Sequence, residues 1–436
     1  MNAIPVATFR ERMRYRGWSM VFIAFICVFF AFSAPVVTMP LIYGRVMHEF
    51  GWTRTQVTLI FTYKYVASSL VAMFLIGPII NRFGLRVALI ASCLSTAIGM
   101  TSFLWIHSLW SYYLAGFLFG LGGTTLLIPI KLLVARWFNR NLGLAVGIAV
   151  LGTSVGGAVF PLLGNELIEA LGWRGAFASL SLGIWLVALP LYLWKARENP
   201  TEREVLPEAA SPNADPALAL RLKAADLDTS FPVLMRSPMF WYIAVGLFIV
   251  GGIDSGMLQH AILYLQGEVG LSSMAAAASL SGTFALGVLA KIIAGRVYDL
   301  YSIRGVQLWY VLLAVSIATL FSVHGLVTLI ICTVVRGIAH GGLISEIPVV
   351  AKHCYGPRFL NQALPVFTGF FGFGSALGPL ALSAVYDHFG SYKYGFMLFS
   401  VLCLFAALLL TWVRPLYRQR INALLRADGE RIAVDA

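Results

Sequence analysis

Charge is in short supply in this sequence. Of 436 residues only 11% are Asp, Glu, Lys or Arg, where a soluble globular domain carries about 25%. Polar residues must cover the outside of a soluble fold, and there are too few here to do it. A water-soluble enzyme or binding module of this size is thereby excluded. Acidic residues are the scarcer kind, 19 against 31 basic ones, which leaves a net charge of +12. Nucleic acid is not the implied partner, because no folded soluble domain is there to carry a binding surface. Cysteine is sparse too. The five are Cys27, Cys93, Cys332, Cys354 and Cys403, all but Cys354 in apolar runs and none in a CxxC or other metal spacing. They read as small buried hydrophobes, and no metal site is expected. A Gly-rich phosphate-binding loop is missing, which removes ATP as a direct energy source, and no Ser/His/Asp constellation points to catalysis. Neither an enzyme activity nor a cofactor is expected.

What the sequence has instead is apolar length. Hydrophobic residues make up 59% and the mean hydropathy is +0.83. A bilayer crossing needs about 20 mostly apolar residues. Such runs fall at 18–44, 57–80, 87–106, 110–135, 142–168 and 174–194, then at 239–266, 275–298, 307–323, 325–352, 359–386 and 395–413. The expected fold class is an all-α membrane protein with twelve transmembrane helices in two pseudo-symmetric six-helix bundles. Arg10, Arg12, Arg14 and Arg16 precede the first run in the manner of a signal peptide. The stretch from Trp18 to Met39 is too long for that and lacks a cleavage site, so it reads as a retained span. Residues 195–237, with Pro200, Pro207, Pro212 and Pro216, cannot bury a core. They are read as a cytoplasmic linker, with a short amphipathic helix near Leu218 to Leu227, between halves at 1–194 and 238–436.

Lys and Arg set the orientation. With the N-terminus inside, cytoplasmic segments hold 23 of them and outer loops only Arg45, Arg54, Arg174 and Lys393. Both termini are therefore expected in the cytoplasm. Trp18, Trp52, Trp110, Trp137, Trp173 and Trp241 fall at span ends, as an interfacial aromatic belt does.

The halves repeat at an offset of 218 to 219 residues. Glu49 and Gly51 match Glu268 and Gly270; Gly122, Gly123 and Pro129 match Gly341, Gly342 and Pro348; Gly156, Pro161 and Gly172 match Gly374, Pro379 and Gly390. One offset held in order across three helix pairs is not chance. Halves so related place a path between them near the bilayer midplane.

The loop from Gly77 through Asn81, Arg82 and Gly84 to Arg86 resembles the major facilitator superfamily signature. It recurs in degenerate form as Gly295, Asp299 and Arg304. Within that superfamily, the segment Trp137 to Gly147 is similar to the element that opens the fifth helix of monocarboxylate transporters and oxalate/formate exchangers. His260, Tyr264 and Leu265 followed by Gly270, Leu271 and Ser272 are similar to the seventh helix of many bacterial members. The resemblance implies a secondary transporter in the plasma (inner) membrane, working as a monomer on a small organic anion, with a proton or an exchanged anion as co-substrate. The departures are specific. Asn81 stands where the signature has aspartate, Leu41 follows Pro40 where monocarboxylate transporters have lysine, and Gly287 stands where they have an acid. Residues 359–386 also lack the exchangers' eleventh-helix lysine.

Charges within spans face a cavity or each other. Lys291, four residues before Gly295, holds the position where the resemblance puts the substrate-binding cation; the alternative is a lysine snorkelling to the interface. Arg336 and His340 share one face of the tenth helix, and Asp254 lies at comparable depth on the seventh. Asp254 and Arg336 are expected to pair, either as a structural ion pair or as a proton- or substrate-responsive switch. Tyr63 and Lys64 are candidates to reach the path from the second helix. His260 is a polar group near the outer mouth or a proton relay. Glu346 is placed to pair with Lys131 or Lys291. Gly77, Asn81, Arg82, Gly84, Arg86, Gly295, Asp299 and Arg304 are the gating set, with Asp299 expected to reach the start of the fifth helix near Arg140 and Leu142. Three functions fit this inventory. They are transport of a small organic anion, export of an amphipathic compound, and sensing by a transporter-like fold that moves nothing.

Overall fold

The computed structural model describes residues 16–138, 142–200, 235–301 and 303–434. The expected helix at 218–227 falls outside these. Among the described residues, ten helical stretches are long and apolar enough to cross a membrane. One of them, Leu144–Lys195, breaks at Gly172, where φ is +68°. Another helix, Arg54–Leu70, is too short for that count but runs on through a wider turn at Val71–Leu75. Dividing the first and adding the second gives the twelve helices named here. They are α1 (Gly17–Phe50), α2 (54–83), α3 (85–105), α4 (Leu109–Trp137), α5 (142–171), α6 (173–195), α7 (Pro238–Gly267), α8 (Ser273–Tyr301), α9 (Ile303–Leu320), α10 (Leu326–Leu343), α11 (Val366–Phe389) and α12 (Lys393–Val413). α10 and α11 belong to one helical run, Leu326–Phe389. Arg336 and Ser375 both touch the Asp254–Ser255 step of α7, so the chain must double back between them.

Local chemistry sets the starts. Thr53 and Gln56 form a reciprocal capping box on α2, at 3.2 and 2.9 Å. Ser272 accepts from the Ala275 amide at 3.2 Å and caps α8 likewise. Just ahead of each cap the chain turns through a left-handed glycine, Gly51 at φ +69° and Gly270 at +78°. Gly172 and Gly390 form a second such pair at +68° and +70°. Only glycine takes up this backbone region without a Cβ penalty. The sequence repeat therefore extends to backbone conformation.

Packing on α7 is close because small residues allow it. A Cβ on Gly378 of α11 would sit 1.8 Å from the Gly252 carbonyl oxygen, and one on Gly374 would sit 1.9 Å from that of Phe248. Both obstacles are backbone and cannot swing aside. Gly378→Val is expected to cost at least ~3 kcal/mol, the upper end for an overpacked core. Gly147→Ala, with nothing within 4 Å of its Cβ position, should change stability by less than about 1 kcal/mol. Thermal melting of the purified protein in detergent measures both; equal melting points would refute the close contact.

The first six helices meet the last six along three seams: α1 on α7, α2 on α11 and α5 on α8. At the end of the bundle holding Phe50, Tyr43 donates to Gln259 Oε1 at 2.6 Å, Thr55 to Asp387 at 2.5 Å and Thr58 to Ser383 at 3.0 Å. Of the expected aromatic belt, Trp110 is exposed, while Trp137 and Trp173 are buried. Their indole N–H groups donate to the Arg197 carbonyl and to Glu49. A span-end position is compatible with either use.

Candidate functional site

Adjacent residues on a helix point about 100° apart, and this separates the two candidates of α2. Lys64 is fully buried, its ammonium 3.6 Å from the centre of the Tyr65 ring and 5.2 Å from that of Phe61. Tyr63 is 38% exposed and packs on Tyr113 of α4. It faces the outside of the bundle and does not join Lys64 in the interior. That corrects the expectation that both reach a path.

Lys291 of α8 turns across the seam to α5. Its ammonium donates to Thr153 Oγ1 at 3.3 Å and to Ser154 Oγ. Two neutral hydroxyls from the opposite half hold it, in place of a carboxylate or the membrane interface. Glu346 does not pair with it, nor with Lys131. It lies on the helical run that continues α10, fully buried, where Tyr310 of α9 donates to Oε1 at 3.3 Å and Oε2 has no partner. The expected pairing assumes that a buried carboxyl must find a cation, and here a phenol takes that place.

Asp254, Arg336 and His340 form the densest charged cluster. Arg336 Nη2 donates to Asp254 Oδ1 at 2.6 Å and to the Asp254 carbonyl at 3.2 Å. His340 Nδ1 lies 3.0 and 3.1 Å from the two carboxylate oxygens. One turn of α10 separates the two donors, so both reach the same acid on α7. All three side chains are nearly buried. A small cavity between α7, α8 and α10 has Arg336 and His340 in its wall.

His260 is locked by two fixed partners. Its Nε2 lies 2.9 Å from the Pro379 carbonyl and must donate, leaving Nδ1 to accept from the Tyr392 hydroxyl at 2.9 Å. Arg54 of α2 in turn donates to Tyr392 at 2.9 Å and stacks on Tyr386 at 3.7 Å. Burial holds the Tyr392 phenol above its ordinary pKa, the Arg54 charge opposing that, so it remains a donor. The chain Arg54, Tyr392, His260, Pro379 runs between the halves at the Phe50 end. A ring satisfied on both nitrogens suits a clamp and leaves no room for a relay.

Gly84 takes φ +86° in the signature loop, which lets α3 start at a new angle. Gly77, Asn81, Arg82 and Arg86 are exposed there. The Arg86 amide donates to Glu198 Oε1 at 2.8 Å, and Arg136 reaches Glu198 Oε2 at 3.1 Å. Arg304 is exposed at the start of α9. Gly295 and Asp299 lie on α8, but the side chain of Asp299 and all of Arg140 fall outside the described residues, as does the contact expected between them. Sequence reasoning misses Thr153 and Ser154, Tyr65, the Arg54–Tyr392 contact and Glu198. The only signal for the first pair is two hydroxyls inside the Gly152–Gly157 run of small residues.

Comparison with known proteins adds context to this geometry. A family model described as Major Facilitator Superfamily matches residues 21–318 and 280–429. Monocarboxylate transporter 4 of Mus musculus is 30% identical over 170 residues, 38% of this chain and 35% of that protein. The chain therefore matches about a third of that relative's length. Monocarboxylate transporter 12 of Mus musculus is 26% identical over 333 residues, covering 71% and 67%. The nitrite extrusion protein of Bacillus subtilis is 21% identical over 369 residues, covering 83% and 86%. Among solved structures, a POT family transporter in complex with 5-aminolevulinic acid has a TM-score of 0.68 at 15% identity, covering 92% of this chain and 96% of its own. An inward-facing bacterial homolog of the human lysosomal transporter Spinster gives 0.64 at 18%, covering 96% and 99%.

Proposed function

Because the chain belongs to the major facilitator superfamily, and is thus a multi-pass membrane transporter rather than an enzyme, we propose that it moves a small organic anion, a monocarboxylate, by rocking its two six-helix halves about a central site. One observation carries this reading. Lys291 places an ammonium at the seam between the halves, held by the hydroxyls of Thr153 and Ser154. No carboxylate among the described residues neutralises it. A cation kept inside a membrane protein without a counter-ion is a place for an anionic ligand. The monocarboxylate transporters among the relatives support the substrate class, and so does the single-carboxylate stoichiometry of one ammonium.

Purified protein in proteoliposomes, challenged with radiolabelled carboxylates with and without an imposed pH gradient, tests the reading. Saturable uptake of at least one monocarboxylate is expected. Transport confined to nitrite would favour a second reading, movement of a small inorganic anion, for which the nitrite extrusion relative speaks. The proposed setting is the plasma (inner) membrane, as a monomer, with both termini cytoplasmic. In a variant lacking its native cysteines, His107→Cys should label with an impermeant thiol reagent from outside and Asn81→Cys only from inside. Both positions are exposed, at opposite ends of α3 and its approach. The reverse pattern would invert the topology.

A further inference from the structure

We propose that the surface groove between α9 and α12 binds one anionic phospholipid, its phosphate on Arg304 and an acyl chain lying between the two helices. The inference is independent of what the protein transports, because neither helix lies on the three seams between the halves.

The groove has a volume of about 470 Å³. Its apolar walls are Leu308 and Val311 of α9 and Leu404 and Leu408 of α12, all four exposed. Arg304 stands at one end. That is the end away from Phe50, since Tyr392, just ahead of α12, meets Arg54 and the helix runs off from there. Tyr301 and Trp412, both exposed, flank it, as aromatic rings at the level of lipid headgroups do. The step from Arg304 to Val311 covers about 10 Å of helix, roughly a third of a ~30 Å hydrocarbon core. The groove thus leads from headgroup level into the acyl region of one leaflet. On the proposed topology that leaflet is the cytoplasmic one.

Polar recognition in the groove is confined to the cation. Gln307 Nε2 already donates to the Ala407 carbonyl at 2.9 Å, and the Thr411 hydroxyl to the Leu408 carbonyl at 2.7 Å. The Arg304 side chain makes no hydrogen bond or ion pair among the described residues. The internal repeat shows what its counterpart does. At an offset of 218 residues Arg304 matches Arg86. The Arg86 guanidinium donates to the Leu193 carbonyl at 2.9 Å, and its amide to Glu198 at 2.8 Å. The repeat puts Leu416 or Tyr417 where Glu198 stands, and neither is an acid. The first half thus supplies its own anion at this corner, while the second half leaves its cation to an anion from outside. A guanidinium binds a phosphate through two parallel hydrogen bonds. The apolar trough leading away from it selects a phosphate that carries acyl chains over a free ion. A zwitterionic lipid brings its own cation to the same place and gains less.

The probes are phosphatidylglycerol and phosphatidylcholine with identical acyl chains, titrated into delipidated protein and counted by native mass spectrometry. One phosphatidylglycerol should be retained in preference to phosphatidylcholine. Arg304→Gln should lower that preference about fivefold, the weight of one basic residue at an anionic surface. Arg304→Lys should keep part of it, a point charge replacing the fork. Ala407→Phe puts a ring into the trough without touching a charge and should weaken phosphatidylglycerol retention at least about fivefold. Arg82→Gln, which removes an exposed cation at the same end of the other half, should leave the preference unchanged. Equal retention of the two lipids, an unchanged preference in Arg304→Gln, or undiminished binding in Ala407→Phe overturns the proposal. Inorganic phosphate that displaces phosphatidylglycerol at equal concentration overturns it too, making this a site for the free ion. Arg304 is exposed, so its loss strands no buried partner; should Ala407→Phe fail to fold, the lipid preference and Arg304→Gln still decide. None of these outcomes depends on whether a carboxylate is moved.

Discussion

Arg336→Gln and Asp254→Asn are each expected to destabilise the protein by ~3–5 kcal/mol, the cost of stranding one charge of a buried pair. The guanidinium and carboxylate meet at 2.6 Å with side-chain exposures of 11% and 10%, so water can replace little of what either loses. Removing Arg336 leaves Asp254 with His340 as its remaining partner. Removing the carboxylate leaves a guanidinium against an amide, with a carbonyl contact at 3.2 Å. The double variant strands neither charge and should lose clearly less than the two singles together. The measurement is a double-mutant cycle on melting temperature and on the yield of monodisperse protein. Additive losses would mean that the pair carries no coupling and that the contact is incidental.

Lys291→Gln is expected to weaken carboxylate binding about 10- to 150-fold while the protein folds normally. Two unit charges 4 Å apart attract by about 4 kcal/mol at an effective dielectric of 20. Desolvation of both partners offsets part of that, and a charged hydrogen bond in a protein nets roughly 1.5–3 kcal/mol. Normal folding is expected because two hydroxyls hold the ammonium and no carboxylate is left behind. Lys291→Arg should retain partial transport with altered selectivity, since a guanidinium offers a planar fork where the site offers one point charge. Binding by the Lys291→Gln protein at wild-type affinity, for a substrate found in the carboxylate panel, would remove Lys291 from the site.

The helices are legible in the sequence because lipid demands unbroken apolar length, and composition alone reveals that demand. α2 shows the limit. Its Lys64 and the turn at Val71–Leu75 spoil a length criterion, yet the Thr53 cap and Gly51 mark its start as clearly as Ser272 and Gly270 mark that of α8. Asp254 and Arg336 are readable as neighbours because an in-span charge must find a partner, and the helical repeat adds His340 one turn on. The same logic fails at Glu346 and Lys291. It assumes opposite charge, whereas burial accepts any donor or acceptor in place, here Tyr310 and the Thr153–Ser154 step. Tyr63 fails for a geometric reason, since neighbours in sequence occupy different helix faces. Arg54 and Tyr392 are invisible because 338 residues separate them and only the seam brings them together.

The clamp at the Phe50 end has an energetic corollary. Four side chains there, those of Arg54, Thr55, Thr58 and Tyr43, donate hydrogen bonds from one half to the other. The Tyr43 and Thr58 bonds are each worth roughly 0.5–1.5 kcal/mol net of the water bonds they replace, and the Arg54 and Thr55 bonds, each with a charged partner, roughly 1.5–3, so together they favour closure by about 4–9 kcal/mol. Shifting a two-state balance from 1:99 to 99:1 takes about 5.5 kcal/mol of differential affinity. The two figures are of one size. On the proposed rocking mechanism the clamp would act as a detent that keeps this end shut at rest until one small anion tips the population, and losing the Arg54 bond alone would shift that balance about 10- to 150-fold.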